Sequence, residues 1–324
     1  MNKVRVLVLG ASGFIGQHVT LALQISGWAI PIAAYHRSRR AIPGIRECSM
    51  DATDEAALGQ AMLDVDAVVN CVAGGPASIV AGARTLFSIA AKQPVPPRIV
   101  YLSTMSVYGT ATGEIDESNP LRGDLGEYSS AKVSAERFAK HYPRAVILRP
   151  GCVYGPGSSQ WSERIASLLI SHRLGNLGPA GDGRCNLVYI DDLVAAILQA
   201  LQRPGIEGQA FNLSVPAPPT WNQYLLLYAQ KLGLAPPKPI SAARLAIETL
   251  LLAPFLKVAG IVKRFVAPAQ TIEVQVIPPS LLRLFGQDIV LRSDKAEHML
   301  GLHWTPINEG LTLAAAGFRT THRA

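Results

Sequence analysis

Two side chains in this sequence have the types and spacing for shared proton chemistry. Tyr128 and Lys132 stand four residues apart in Tyr128-Ser129-Ser130-Ala131-Lys132. On a helix that spacing puts both on one face. A free tyrosine, with a pKa near ~10, is a poor base at neutral pH. A neighbouring cation favours its phenolate, and the phenol can then exchange a proton with a hydroxyl or carbonyl. Tyr-x-x-x-Lys alone is a common accident. Here it follows Ile99-Val100-Tyr101-Leu102-Ser103-Thr104-Met105-Ser106-Val107-Tyr108-Gly109, an apolar strand that ends in hydroxyls.

A second constellation lies near the amino terminus, in Val8-Leu9-Gly10-Ala11-Ser12-Gly13-Phe14-Ile15-Gly16. It sits between the apolar run Val4–Leu9 and a helical pattern over Phe14–Ser26, closed by Gly27, which is where a dinucleotide turn belongs. Gly10 permits a sharp turn, Gly13 lets the backbone approach a pyrophosphate, and Gly16 lets helix pack on strand. The helix start offers free N–H groups and the positive end of its dipole. Such folds select NAD or NADP at the end of the second strand. That strand runs into Ala34-Tyr35-His36-Arg37-Ser38-Arg39-Arg40 without an acid, so NADP is favoured over NAD, with Arg37 facing the 2′-phosphate. A solvated arginine loop is the alternative. Asp51 either accepts from the adenine amino group or caps a helix starting near Thr53.

The elements that must carry these groups alternate. Strand patterns occupy 4–9, 29–36, 66–72, 98–103 and 145–148, and helix patterns 14–26, 55–62, 84–92 and 128–141. Repeated β-α-β units with short links imply an α/β, Rossmann-type doubly wound parallel sheet. After Gly151 glycine and proline become frequent and helices dominate, with one late strand at 209–213. We read 1–155 as the dinucleotide-binding core. Residues 156–324 complete it and form a smaller, mainly helical substrate lobe.

Composition narrows the class. Of 324 residues 49% are hydrophobic and 16% charged, enough apolar material for a sizeable core and against wholesale disorder. The formal charge of +7 suits an anionic ligand. The basic residues are scattered and no nucleic-acid reading motif accompanies them, so no nucleic-acid partner is expected. The cysteines Cys48, Cys71, Cys152 and Cys185 form no CxxC or Cys/His spacing. Reduced thiols and a cytoplasmic location are therefore expected, with no metal site. The run 4–9 is too short for a signal peptide. Residues 245–266 are apolar but interrupted by Glu248, Pro254, Lys257, Lys263 and Arg264, too broken for the ~20 residues of a membrane span. They read as buried helices of a lobe or subunit contact, with a basic amphipathic membrane contact as the alternative.

With these residues in place the chain resembles the extended short-chain dehydrogenase/reductase family, also called the NAD-dependent epimerase/dehydratase family. The likeness runs nearly end to end. It takes in the Gly10–Gly16 turn, Ser103-Thr104…Val107-Tyr108-Gly109, Tyr128/Lys132 and Leu148-Arg149-Pro150-Gly151-Cys152-Val153-Tyr154-Gly155-Pro156. It continues through Gly181-Asp182-Gly183…Val188-Tyr189-Ile190-Asp191-Asp192-Leu193 to Ser293-Asp294-Lys295 and Trp304-Thr305-Pro306. The resemblance implies that Thr104 bonds the reacting oxygen, that Tyr128 is the acid/base, and that Lys132 holds the nicotinamide ribose and lowers the tyrosine pKa. It places Gly10, Ser12, Gly13, Phe14, Ile15 and Gly16 at the pyrophosphate and Ala73 and Gly74 on the adenosine side. Ser103, Pro150, Gly151 and Val153 fall beside the nicotinamide, and Met105 and Arg184 with Thr104 at the substrate. Asp191 and Asp192 look structural, as caps of the next helix. A homodimer through the helices at 84–92 and 128–141 is also implied.

Departures from the family pattern narrow the reaction. The family's 4,6-dehydratases carry Asp-Glu where Met105 and Ser106 stand, and related decarboxylases a Glu at Ser106; without those carboxylates no group is evident to eliminate water from a sugar. Nucleotide-sugar members have Asn and Arg where Cys152 and Cys185 stand, and a thiol is a poor partner for an anion. The first reading is therefore an NAD(P)-dependent oxidoreductase acting on a carbonyl or alcohol carbon of a small molecule. The alternatives are a nucleotide-sugar epimerase or reductase of polysaccharide synthesis, and a non-catalytic cofactor-binding sensor or structural subunit.

Overall fold

The computed structural model describes residues 3–36, 42–241, 244, 277 and 279–322. The chain divides into two compact units. The first comprises Met1–Val153, Val188–Pro216 and Leu291–Trp304, and the second Tyr154–Leu187, Ala217–Val290 and Thr305–Ala324.

The first unit is built on strands β1 (Val4–Leu9), β2 (Ala29–Tyr35), β3 (Arg46–Ser49), β4 (Ala67–Asn70) and β5 (Arg98–Leu102). A short β6 (Gly113–Ile115) follows, then β7 (Ala145–Pro150), β8 (Cys152–Tyr154), β9 (Leu187–Tyr189) and β10 (Ala210–Leu213). Seven of these form one sheet in the order β10-β7-β5-β4-β1-β2-β3, and its pairings are parallel. The strands are short and apolar because both faces are covered. Val6, Leu7, Val8, Val68, Ile99 and Val100 have no exposed surface. Pro31 is tolerated inside β2 because β3 begins to pair only at Ile32, so Pro31 has β1 as its one neighbour. β1 lies between β2 and β4, which is the point where a doubly wound sheet reverses and opens a crevice at its strand ends.

Helices α1 (Phe14–Ser26), α2 (Glu55–Ala61), α3 (Pro76–Ala91) and α4 (Glu127–Lys140) cross between these strands. α1 ends at Gly27 in the left-handed conformation, φ 75°, as its sequence predicts. α3 begins eight residues before the expected start at 84. Gly75 is its N-cap and Pro76 its first residue, a position where proline's missing N–H costs nothing. After α5 (Arg164–Ile170), α6 (Ile190–Gln202) opens directly from Tyr189. Asp191 and Asp192, expected as caps, lie instead in its first turn, and its N-cap has no side-chain hydrogen bond. Their charge meets the positive end of the helix dipole.

In the second unit α7 (Trp221–Leu232) starts with a full capping box between Thr220 and Gln223. Trp221 is completely buried, its ring 4.8 Å from Phe285. Phe285 ends α8 (Pro279–Phe285). Residues 245–266, expected as apolar helices, lie outside the described residues. The chain closes with β11 (Ile289–Leu291), α9 (Asp294–Leu300) and α10 (Ile307–His322). No described helix is long and apolar enough to cross a membrane.

Candidate active site

The glycine turn forms at the carboxyl end of β1. Gly10 takes φ 77°, a left-handed conformation that penalises any other residue. A side chain there would also stand 3.0 Å from the Cys71 carbonyl oxygen, so the turn packs directly on the exit of β4. The N–H groups of Gly10 and Ala11 donate to the Ala34 carbonyl at 3.1 and 2.9 Å. At Gly16 a Cβ would overlap the Gly10 carbonyl and lie 2.8 Å from the Ala11 Cα. Backbone meets backbone there, and α1 can start at this place only with glycine. The N-cap of α1, Gly13, offers no side-chain cap, so the donors of the first helical turn, on Phe14 and Ile15, are met by no capping side chain. Ser12 is half-buried at the mouth of the turn.

Next along the sheet, the Asn70 side chain accepts from the Val72 N–H at 3.0 Å and turns the chain out of β4. Ala73 and Gly74 follow, exposed, before α3. Asp51 accepts from the N–H and hydroxyl of Thr53 at 2.9 and 2.8 Å. The cap of α2 is Asp54, which accepts from Ala56 and Ala57, so the expected capping by Asp51 is corrected by three residues. His36 Nε2 lies 3.6 Å from the other Asp51 oxygen. Arg37 lies outside the described residues.

The catalytic candidates come together where β5 ends. Thr104 caps a single 3₁₀ turn, Met105–Tyr108, by accepting from the Ser106 N–H at 3.2 Å. The Tyr128 side chain comes close enough to Thr104 for that residue to bear on its proton affinity. Ser129, next to Tyr128, donates to the Ser106 carbonyl at 2.6 Å and ties the start of α4 to the same turn. Tyr128 is 46% exposed. Even so, desolvation by its surroundings raises its pKa above the usual tyrosine value, against the lowering effect of the Thr104 side chain. Lys132 is 5% exposed and donates from Nζ to the Leu102 carbonyl at 2.9 Å. Burial brings it down to about 8, with Glu136 and Cys71 pulling the other way. The expected lowering of Tyr128 by Lys132 is therefore absent from the resting site, because this ammonium is held at the end of β5.

Two buried hydroxyls in this cluster, Ser103 Oγ and Ser106 Oγ, have no hydrogen-bond partner. An unmet buried donor is costly, so each marks a place where a ligand group would be welcome. Pro150 ends β7. The Gly151 N–H donates to the Leu213 carbonyl at 2.9 Å, and Val153 is buried just beyond. Met105 is buried. Arg184 is exposed in the second unit, 4.0 Å from Asp288. Cys152 and Cys185 are buried and form no disulfide, and burial pushes the Cys152 thiol far up. No cluster of metal ligands occurs among the described residues.

Sequence reasoning passed over one feature of the site. Arg149 and Glu136 form an ion pair at 2.7 Å, 1% and 0% exposed. The available signal was a lone arginine inside Ala145–Pro150, opposite a helix with a carboxylate one turn beyond Lys132.

The model of the NAD dependent epimerase/dehydratase family matches residues 6–214. Protein YeeZ of Escherichia coli (strain K12) is 27% identical over 257 residues, covering 74% of this chain and 86% of that protein. Epimerase family protein SDR39U1 of Bos taurus is 30% identical over 260 residues, covering 73% of this chain and 82% of its own. Among solved structures, dTDP-glucose 4,6-dehydratase of Bacillus anthracis in complex with NAD gives a TM-score of 0.76 at 18% identity, covering 99% of this chain and 98% of that one. At that identity the likeness is one of fold.

Proposed function

Because this chain belongs to the NAD dependent epimerase/dehydratase family, we propose that it is an NAD(P)-dependent oxidoreductase of the extended short-chain type, working on a carbonyl or alcohol carbon with Tyr128 as acid/base. The meeting of the Tyr128 and Thr104 side chains carries this reading. It lies on the same compact unit as the Gly10–Gly16 turn. The residues present suit a dinucleotide. The turn has no room for a side chain at Gly16, α1 offers uncapped donors, and the Ser103 hydroxyl is buried without a partner. Bound there, the nicotinamide would supply hydride exchange.

The protein's own groups do the rest. Thr104 orients the oxygen that gains or loses the proton, and Tyr128 moves that proton. Lys132 holds the ribose and adds positive charge beside the reaction. The Tyr128 phenol, raised above its ordinary pKa by desolvation, is in the form that donates a proton to a carbonyl. We place NADP(H) ahead of NAD(H), because no acid ends β2 and Arg37 follows it in sequence. A homodimer and a reducing cytoplasmic setting remain part of the proposal. The Bacillus anthracis likeness, with its bound NAD, supports a nicotinamide dinucleotide as the cofactor class.

One thermal-shift plate tests the reading. A ligand at 100 times its Kd stabilises the native state by about 2.7 kcal/mol. NADPH is expected to raise the melting temperature more than NADH at equal concentration, and Arg37→Ala to erase the difference. UDP- and GDP-sugars on the same plate test the nucleotide-sugar reading. A flat response to every nicotinamide dinucleotide would end the proposal.

A second check uses the turn itself. Gly16→Ala sets a methyl against the Gly10 carbonyl. Its calorimetric affinity for the preferred dinucleotide is expected to fall at least tenfold, about 1.4 kcal/mol. Undiminished affinity would move the cofactor away from this turn.

A further inference from the structure

Glu136 follows Lys132 by one turn of α4, as Lys132 follows Tyr128, so the three share one face of the helix. Glu136 has no exposed surface. A carboxylate at that depth is very costly unless paired and hydrogen-bonded. Arg149 of β7 meets it in bidentate fashion, Nε donating to Oε1 at 3.0 Å and Nη2 to Oε2 at 2.7 Å. The remaining Arg149 nitrogen, Nη1, donates to the Tyr108 hydroxyl at 2.8 Å. Tyr108 in turn donates to Asn212 Oδ1 of β10 at 2.6 Å. Tyr108 closes the 3₁₀ turn that Thr104 opens. One buried ladder thus joins the helix of Tyr128 and Lys132 to the turn of Thr104 and to two neighbouring strands.

A brace alone would not require ions. Apolar side chains of similar volume hold such positions as well or better. What this pair adds is a carboxylate fixed one turn from Lys132, its charge offset in part by the Arg149 cation bound to it, and Lys132 feels it. Its ammonium rests against the Leu102 carbonyl and 5.5 Å from the centre of the Tyr101 ring. Facing it are Glu136 from α4, Tyr101 from β5 and Cys71 from the end of β4. The Cys71 thiol is pushed up to about 12 by burial, and Tyr101 is raised beyond its usual range by the same cause. Both are neutral through the working range, so Glu136 supplies the only carboxylate around Lys132 among the described residues.

We propose that Glu136, held by Arg149 and Tyr108, is a positioning residue of the reaction that keeps Lys132 an ammonium against the Leu102 carbonyl, one turn from Tyr128. The inference rests on the reading of Tyr128 and Lys132 as a working pair. Glu136→Gln preserves size and an acceptor for Arg149 but removes the charge, and losing a nearby negative charge lowers the pKa of its neighbours.

The readout is the ¹³Cε resonance of Lys132 in cofactor-free protein labelled at lysine, assigned by its disappearance in Lys132→Met. In Glu136→Gln its titration midpoint is expected at least about one pH unit below wild type. The alkaline limb of turnover should move acidward with it, while KM stays within about twofold. Should the single variant fail to fold, Glu136→Gln/Arg149→Met leaves no unpaired ion buried, and the midpoint is expected below wild type by less than in the single variant, because the Arg149 cation is gone as well. A wild-type midpoint in the variant, with loss confined to melting temperature, would overturn the proposal and leave a structural brace. Full turnover in Tyr128→Phe would instead remove the underlying reading, so the two failures are distinct.

Discussion

Replacing Tyr128 with Phe is expected to lower kcat by roughly a hundred- to ten-thousand-fold, the usual worth of a positioned acid or base. The hydroxyl is the only group removed. The ring keeps its place on α4, and the cofactor turn at the end of β1 is untouched. Dinucleotide affinity by calorimetry should therefore stay within about twofold of wild type. The effect is large because Thr104, its polar neighbour, has no proton of suitable acidity to take over. The pH profile sharpens the test. Tyr128 is raised and Lys132 lowered to about 8, so in the reducing direction activity should fall as pH rises through the lysine value and beyond. A Tyr128→Phe enzyme that still turns over at the wild-type rate would sink the mechanism.

The largest expected effect on stability belongs to Arg149→Met. Its partner Glu136 would remain as a carboxylate with no exposed surface and no counter-ion. Breaking a buried pair from one side costs about 3–5 kcal/mol. The Tyr108 hydroxyl would lose its donor as well. Urea titration followed by tryptophan fluorescence and by far-ultraviolet circular dichroism should show the midpoint drop. Glu136→Leu added to Arg149→Met should recover most of it, because the orphaned charge is then gone. A single-variant loss below ~1 kcal/mol, the worth of a surface ion pair, would show that this pair is not desolvated as its geometry indicates.

Much of the frame was legible from local pattern. Val4–Leu9, the Gly10–Gly16 turn, Phe14–Ser26 and the Gly27 cap follow from apolar runs, period and glycine alone, and the structure places them as expected. Errors fell at boundaries. The helix expected at 84–92 begins at Pro76, with Gly75 as its N-cap. The strand expected to end at Leu148 runs to Pro150 because Leu213 of β10 pairs there. Asp51, one reading of which made it the cap of the second helix, lies three residues short of the observed cap Asp54.

The amino-acid order by itself determined which groups could react and on what scaffold: a phenol and an amine one helical turn apart, a hydroxyl-ended strand, and a glycine turn that seats a dinucleotide. These are short-range facts, set by periodicity and by which residues tolerate a given backbone angle. Only the tertiary structure decided the state of those groups. Lys132 donates to Leu102, thirty residues away in sequence, Glu136 of α4 finds Arg149 of β7, and Ser103 is left with an unmet hydroxyl. Charge and proton affinity depend on who is near and how much water is gone, and both are fixed when distant segments pack together.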